Sequence, residues 1–339
     1  MFRLNRIVDS LVPHPSRWCV VLYLASIFST ADHSSLMCRA AESEGFTKPP
    51  ITALAFASDG KTVVAASQSG VHVFNWPDLN RLRTIETSLH NLHCLVFSPD
   101  GKLLAVGGGV PSDAGGVQLF SWPSGESVKS MDDHEDSVLA LAWRDKTTIV
   151  SGSVDRQIKL WNHQQETIER SYSGHSRSVS ALCLLNDRTT LVSAGADHSL
   201  RIWDLASGQV VRNLNQHTKR VNELALRPNH DGLPMVASAA ADRTIRFWQP
   251  TIGRMVRYIR LQSEPLNIAW LQDGSRIIAA CVDGRIRVIN PEEVKVTQTV
   301  EAIQSWAYAI AVHPTDDSIV VAGAGGEIRR IEHSQLAGK

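Results

Sequence analysis

The chain has 339 residues with 34 Lys+Arg against 34 Asp+Glu, so its formal charge is zero and no cationic excess points to a nucleic-acid partner. Hydrophobic residues at 43% and charged residues at 20% exclude wholesale disorder. The longest apolar run is about half of the roughly 20 residues that a spanning helix needs, which excludes a multi-span membrane protein.

Residues 1–31 read as a targeting segment. Arg3, Arg6 and Arg17 precede the apolar run WCVVLYLASIF at 18–28, and the small residues Ser29 and Ala31 follow. This is the order of a secretory signal, with cleavage after Ala31 or Ala40. The expectation is an exported protein, periplasmic, extracytoplasmic or secreted. A cytoplasmic protein with a mis-called start, or an uncleaved membrane tether, is the alternative. Cys19, Cys38, Cys94, Cys183 and Cys281 are widely spaced with no Cys-x-x-Cys pair, so they are expected to be small buried hydrophobes rather than a zinc ribbon or a disulfide framework.

From residue 49 to 333 one pattern recurs: a short apolar segment, a polar turn, a second apolar segment, a tight turn, and an alternating segment ending on an aromatic or aliphatic residue. The closing positions are Phe74, Phe120, Trp161, Trp203, Trp248, Ile289 and Ile331, about 43 residues apart. Alternation in Ile158-Lys159-Leu160-Trp161 and Leu200-Arg201-Ile202-Trp203 has the period of strands. The turns at Ser58-Asp59-Gly60, Pro99-Asp100-Gly101 and Gln272-Asp273-Gly274 supply residues that accept left-handed backbone, so neighbouring strands form hairpins. The expected fold is all-β: a seven-bladed β-propeller of four-stranded antiparallel blades in one closed domain. The glycine-rich stretch 107–116 is read as a flexible loop tip rather than a phosphate cradle, because no helix follows it.

Several of these units share a polar set. Asp155, Asp197, Asp242 and Asp283 each stand six residues before a closing position, and His134-Ser151-Asp155-Trp161 recurs as His175-Ser193-Asp197-Trp203 and His217-Ser238-Asp242-Trp248. With Gly174-His175 and Trp203-Asp204, the chain over roughly 45–333 resembles the WD-repeat (WD40) β-propeller family. Units 1, 2 and 7 depart from the pattern, with Gln68, Ala114 and Gly325 at the aspartate offset. The resemblance implies that each polar set forms a structural hydrogen-bonded tetrad. By residue type each set could also be a Ser-His-Asp triad, but its repetition and its indole partner favour the structural role, with no catalytic residue.

The resemblance further implies that each blade takes its outer strand from residues after the closing position, as 81–85, 167–172 and 210–214 would supply. The last unit is therefore expected to borrow its outer strand from 39–47, within a segment 32–48 that links the signal to the propeller, and 334–339 is a tail. Protein partners are expected on the narrow face, at loops leading into the innermost strands. The candidates there are His93, Arg177, Ser178, Arg220, Asn222, Asn267, Trp306 and Tyr308, with the alternative that the two aromatics plug the axis. No metal, no cofactor and no stable membrane span beyond the signal are expected, and a single-chain propeller. The function read from this is a noncatalytic protein-interaction scaffold; a propeller enzyme or small-ligand sensor using an axial pocket, or an intracellular assembly factor, is the alternative.

Overall fold

A computed structural model describes residues 48–229 and 232–336. Within them the alternating segments form seven antiparallel sheets, six of four strands and one of three. The blades span 51–85, 94–134, 138–173, 179–214, 221–260, 265–301 and 307–331, with strands in chain order from innermost to outermost. Each innermost strand touches that of the next blade, and Ala307–Val312 touches Ile51–Phe56, so the ring is closed. The seven-bladed all-β propeller read from the repeat is the observed fold.

Its core is divided among the seams. Seven apolar clusters each straddle two consecutive blades: Ile158, Leu160 and Tyr172 of blade 3 pack with Trp203 of blade 4, and Ile51 and Phe74 of blade 1 pack with Val320 and Ala322 of blade 7. A single blade has two apolar faces and covers neither by itself, so closure of the ring is what buries them. The turns at Gly60, Gly101 and Gly274 have φ of 67°, 68° and 67°, and the aspartate before each accepts the N–H of the residue after it.

The stretch 107–116 departs from its reading as a loop tip. Strands Leu103–Val110 and Ala114–Ser121 pair up to Val110 opposite Ala114, leaving only 111–113 as the turn. Glycine is used here for close approach, since a Cβ at Gly115 would lie 1.9 Å from the Asp136 carbonyl oxygen.

A periodic device at the rim has no counterpart in the sequence reading. In the six four-stranded blades the outer strand bulges opposite the closing residue, which re-aims the side chain that follows. That side chain is Arg83, Lys129, Arg170, Arg212 and Arg257 in blades 1 to 5. Arg83 donates to the Pro123 and Ser124 carbonyls of blade 2, and Lys129 meets Glu166 of blade 3. Arg170 donates to Ser207 O at 3.3 Å, Arg212 to Thr251 O at 3.1 Å and Arg257 to Pro291 O at 3.0 Å. Each of these five blades thus reaches forward to the turn of the next. In blade 6 the position is Gln298.

The seam between blades 7 and 1 has its own bracing. His313 stacks on Trp76 with ring centroids 5.4 Å apart, Arg330 lies over the same indole at 5.2 Å, and His313 Nε2 donates to Gly60 O at 3.1 Å. Blade 7 has three strands among the described residues, and the expected closing strand at 39–47 and targeting segment at 1–31 lie outside them. The expected tail begins differently: His333–Leu336 is one helical turn, and Leu336, 3% exposed, packs into the seam of blades 6 and 7. No helix of the described residues is long and apolar enough to cross a membrane.

Gly115→Ala is expected to lower stability by about 1–3 kcal/mol, because backbone rather than a yielding side chain fills the space of the new methyl. An unchanged midpoint in urea denaturation would contradict this packing.

Candidate functional site

Antiparallel order brings four parts of each four-stranded blade to one face of the ring: the start of the innermost strand, the turn between second and third strands, the end of the outermost strand and the loop leading onward. The polar sets lie there. In blade 3 the Trp161 indole donates to Ser151 Oγ, Ser151 Oγ pairs with His134 Nε2 and His134 Nδ1 with Asp155 Oδ2, all at 2.7 Å. Blade 4 repeats this with Trp203–Ser193 at 2.8 Å, Ser193–His175 at 2.7 Å and His175–Asp197 at 2.9 Å. Blade 5 has Trp248–Ser238 at 2.8 Å, Ser238–His217 at 2.7 Å and His217–Asp242 at 2.9 Å. With a neutral imidazole the proton directions follow from the ends: indole only donates and carboxylate only accepts, so Nδ1 carries the proton and the hydroxyl donates to Nε2.

Each aspartate also joins two backbone segments. Its Oδ2 accepts the N–H that follows the histidine, from Glu135 at 3.2 Å, Ser176 at 3.1 Å and Thr218 at 3.1 Å. Its Oδ1 accepts from the turn, from Gln157 at 2.8 Å, Ser199 at 3.2 Å and Thr244 at 3.0 Å. The histidine stands at the exit of one blade and the other three residues in the next, so every set crosses a seam. Ser151, Ser193 and Ser238 are 0% exposed. A catalytic nucleophile must be reached by its substrate, and these hydroxyls have no surface to offer.

The electrostatics follow the geometry. Burial pushes the Asp155 carboxyl up, but hydrogen bonds and charge from His134 and the amides of Gln157 and Glu135 outweigh it and hold the group below the usual carboxylate range. Asp197 and Asp242 are depressed in the same way, with Ser199 and Thr244 hydroxyls adding to the histidine bonds. Burial lowers His217 despite the Asp242 carboxylate beside it. The thiols of Cys183 and Cys281 are pushed up to about 12 by burial, which removes them as nucleophiles at neutral pH.

In blades 6 and 7 apolar residues stand where the tetrads would be. Leu261, Ala279 and Ile289 occupy the histidine, serine and tryptophan positions of blade 6 and share one apolar cluster. Ile303, Val321 and Ile331 do so in blade 7. Asp283, left without a histidine, pairs instead with Arg287 at 2.6 Å. The paired loss of donors and acceptors at fixed offsets was the signal available for this in the sequence.

The eight residues read as a docking face separate into two groups. Asn222, 2% exposed, and His93, 9% exposed, are buried and so offer almost no surface. Asn222 lies in a bulge of the innermost strand that turns its side chain sideways, where its amide donates to Pro265 O at 2.8 Å and Glu264 Oε1 at 3.0 Å. Arg220 joins the same carboxylate at 3.2 Å, which makes Glu264 the hub of this corner. Asn267 donates to Glu223 Oε2 at 3.1 Å. Arg177 is exposed, and Ser178 and Tyr308 are half-buried. Trp306 is 39% exposed, and its ring meets Tyr308 edge-on with centroids 5.9 Å apart. Elsewhere, clefts of about 300 and 240 Å³ share Asp132; the first lies between the outer strand of blade 2 and Trp161 of blade 3, the second beside the 103–121 hairpin. Among the described residues no three His, Cys, Asp or Glu side chains converge as metal ligands do.

The depressed groups fix the sign of the pH dependence. The folded-state values of Asp155, Asp197, Asp242 and His217 all lie below the unfolded ones, so the unfolded chain binds more protons and acid favours it. Stability is expected to be full above the ordinary histidine value near about 6.5, to begin falling below it, and to fall more steeply below about 4 as the carboxylates titrate. Urea midpoints across this range check it; stability rising as pH falls from 7 would contradict the assignment.

The sequence profile described as WD domain, G-beta repeat, matches residues 80–120, 125–162, 166–204 and 208–249. UBP9-binding protein bun62 of Schizosaccharomyces pombe is 30% identical over 135 residues, 38% of this chain and 24% of that protein. Nuclear distribution protein nudF of Aspergillus niger is 30% identical over 124 residues, 35% and 27% of the two chains. The U3 small nucleolar RNA-associated protein 15 homolog of Gallus gallus is 28% identical over 118 residues, 34% and 22%. The chain therefore spans about a quarter of the length of these relatives. With four profile matches inside a closed ring of seven blades, the chain belongs to the WD-repeat β-propeller family.

Proposed function

We propose that the protein is a noncatalytic scaffold that holds protein partners on the narrow face of its ring. The observation that carries this reading is Trp306, a large aromatic 39% exposed on the loop into the last innermost strand, backed by Tyr308. Exposed aromatics on rigid backbone are the usual anchors of protein interfaces. Arg177, Ser178 and Arg220 extend the face, Asn267 supports it, and Asn222 and His93 act from below as packing. The tetrads serve as structure: they repeat, their hydroxyls are buried, and each binds a turn to a loop. The relatives' names speak for association, one being a UBP9-binding protein and another small nucleolar RNA-associated, and they favour the intracellular alternative over export.

Affinity purification of the tagged full chain from fractionated cells tests both parts. Recovery from a cytosolic or nuclear fraction is expected, with protein partners that diminish on Trp306→Ala and Arg220→Ala. Partners indifferent to both substitutions would refute the docking face, and recovery only from an exported fraction would refute the compartment.

A further inference from the structure

The tetrads do more than hold the narrow face rigid, because each displays the side chains next to the backbone it fixes. The turn residue after the aspartate is held at positive φ: Arg156 at 75°, His198 at 67° and Arg243 at 64°. The loop residue after the bonded amide is Arg177 in blade 4 and Lys219 in blade 5. Blade 5 thus presents one cation from its turn and one from its loop, and blade 4 presents Arg177 from its loop beside the half-buried His198 of its turn. Arg177, Lys219 and Arg243 are exposed, and no carboxylate of the described residues lies in ion-pair reach of them. The nearby aspartates are turned inward, with Asp197 and Asp242 side chains each 5% exposed and engaged by histidine. Glu264 is taken up by Arg220.

Blade 3 breaks the pattern. Its loop carries Glu135 and Asp136 opposite Arg156, and on the strand just before stand Asp132 and an Asp133 that is paired with Lys159. A chain with zero formal charge therefore has a polarised narrow face, cationic over blades 4 and 5 and acidic at the junction of blades 2 and 3.

We infer that the cationic arc of blades 4 and 5 binds an acidic, extended segment of a protein partner. This rests on the scaffold reading and specifies its partner chemistry. Cations carried on backbone that the tetrads hold in place, Arg177 in blade 4 and Lys219 and Arg243 in blade 5, suit carboxylates spaced along an extended chain, since the turns and loops need no ordering on binding. The acidic junction beside the arc disfavours a nucleic acid, whose continuous phosphate charge would be drawn across it.

The test uses the full chain and fluorescence anisotropy with three labelled probes: a peptide of repeated Glu-Ser-Asp triplets, its Lys-Ser-Arg counterpart and a uridine oligoribonucleotide. The acidic peptide is expected to bind best and to weaken as salt rises from about 50 to about 300 mM. The combined Arg177→Glu, Lys219→Glu and Arg243→Glu variant is expected to lose binding by on the order of tenfold or more. Asp132→Lys with Glu135→Lys, in the acidic junction beside the arc, is expected to retain it. No preference for the acidic peptide, tighter binding of the oligoribonucleotide, or binding indifferent to the triple reversal would each overturn the inference. Pull-down partners that depart on Trp306→Ala but persist in the triple variant would overturn the charge assignment alone; partners unmoved by any substitution would overturn the scaffold reading.

Discussion

A buried donor at a blade seam must be answered by an acceptor, and the rest of the ring is arranged around that demand. The indoles of Trp161, Trp203 and Trp248 lie 4%, 1% and 1% exposed between neighbouring blades. Each is answered by a serine, the serine by a histidine and the histidine by an aspartate that ends in the turn. Removing one member leaves others unpaired, at about 1–3 kcal/mol each, whereas exchanging all for apolar groups removes the demand. Blade 6 embodies the second solution with Leu261, Ala279 and Ile289, and blade 7 with Ile303, Val321 and Ile331. Blades therefore differ in chemistry while sharing one shape.

Two further sets of contacts give the ring a direction. Near the axis, bulged residues reach forward from the innermost strands of blades 1, 4 and 5, Thr52 to Leu92 O, Ser180 to Val221 O and Asn222 to Pro265 O. At the rim, Arg83, Arg170, Arg212 and Arg257 reach forward to the next turn. The apolar seams thus bind every blade to its successor, and the axis and rim contacts add to them over part of the ring. The basic rim series stops at Gln298, before the blade with three described strands, and the Trp76–His313 stack with Arg330 braces the next seam instead. Loops on such a frame keep fixed positions, which is the property a docking face needs.

The blade count and tetrad membership were legible in the sequence because both are written as offsets that repeat, and repetition averages out local ambiguity. The rim series was not, although Arg83, Arg170, Arg212 and Arg257 also recur, because their aim depends on a bulge and bulges have no signature in composition. The stretch 107–116 misled for a related reason: glycine marks turns, yet here it makes room for the Asp136 backbone against a paired strand. Asn222 and His93 were placed on the docking face by position alone, which does not reveal that a side chain is turned under its neighbour. Trp306 stands on the loop just before the strand that carries Tyr308, and their rings touch edge-on.

A double-mutant-cycle analysis of the blade 4 tetrad tests the central claim most directly, comparing His175→Leu, Ser193→Ala and Trp203→Phe singly and together by urea denaturation. If the set is one seam brace that is either wholly polar or wholly apolar, the triple variant is less destabilised than the three singles summed, by about 1 kcal/mol or more. Losses that simply add, or a triple variant worse than the sum, would contradict it.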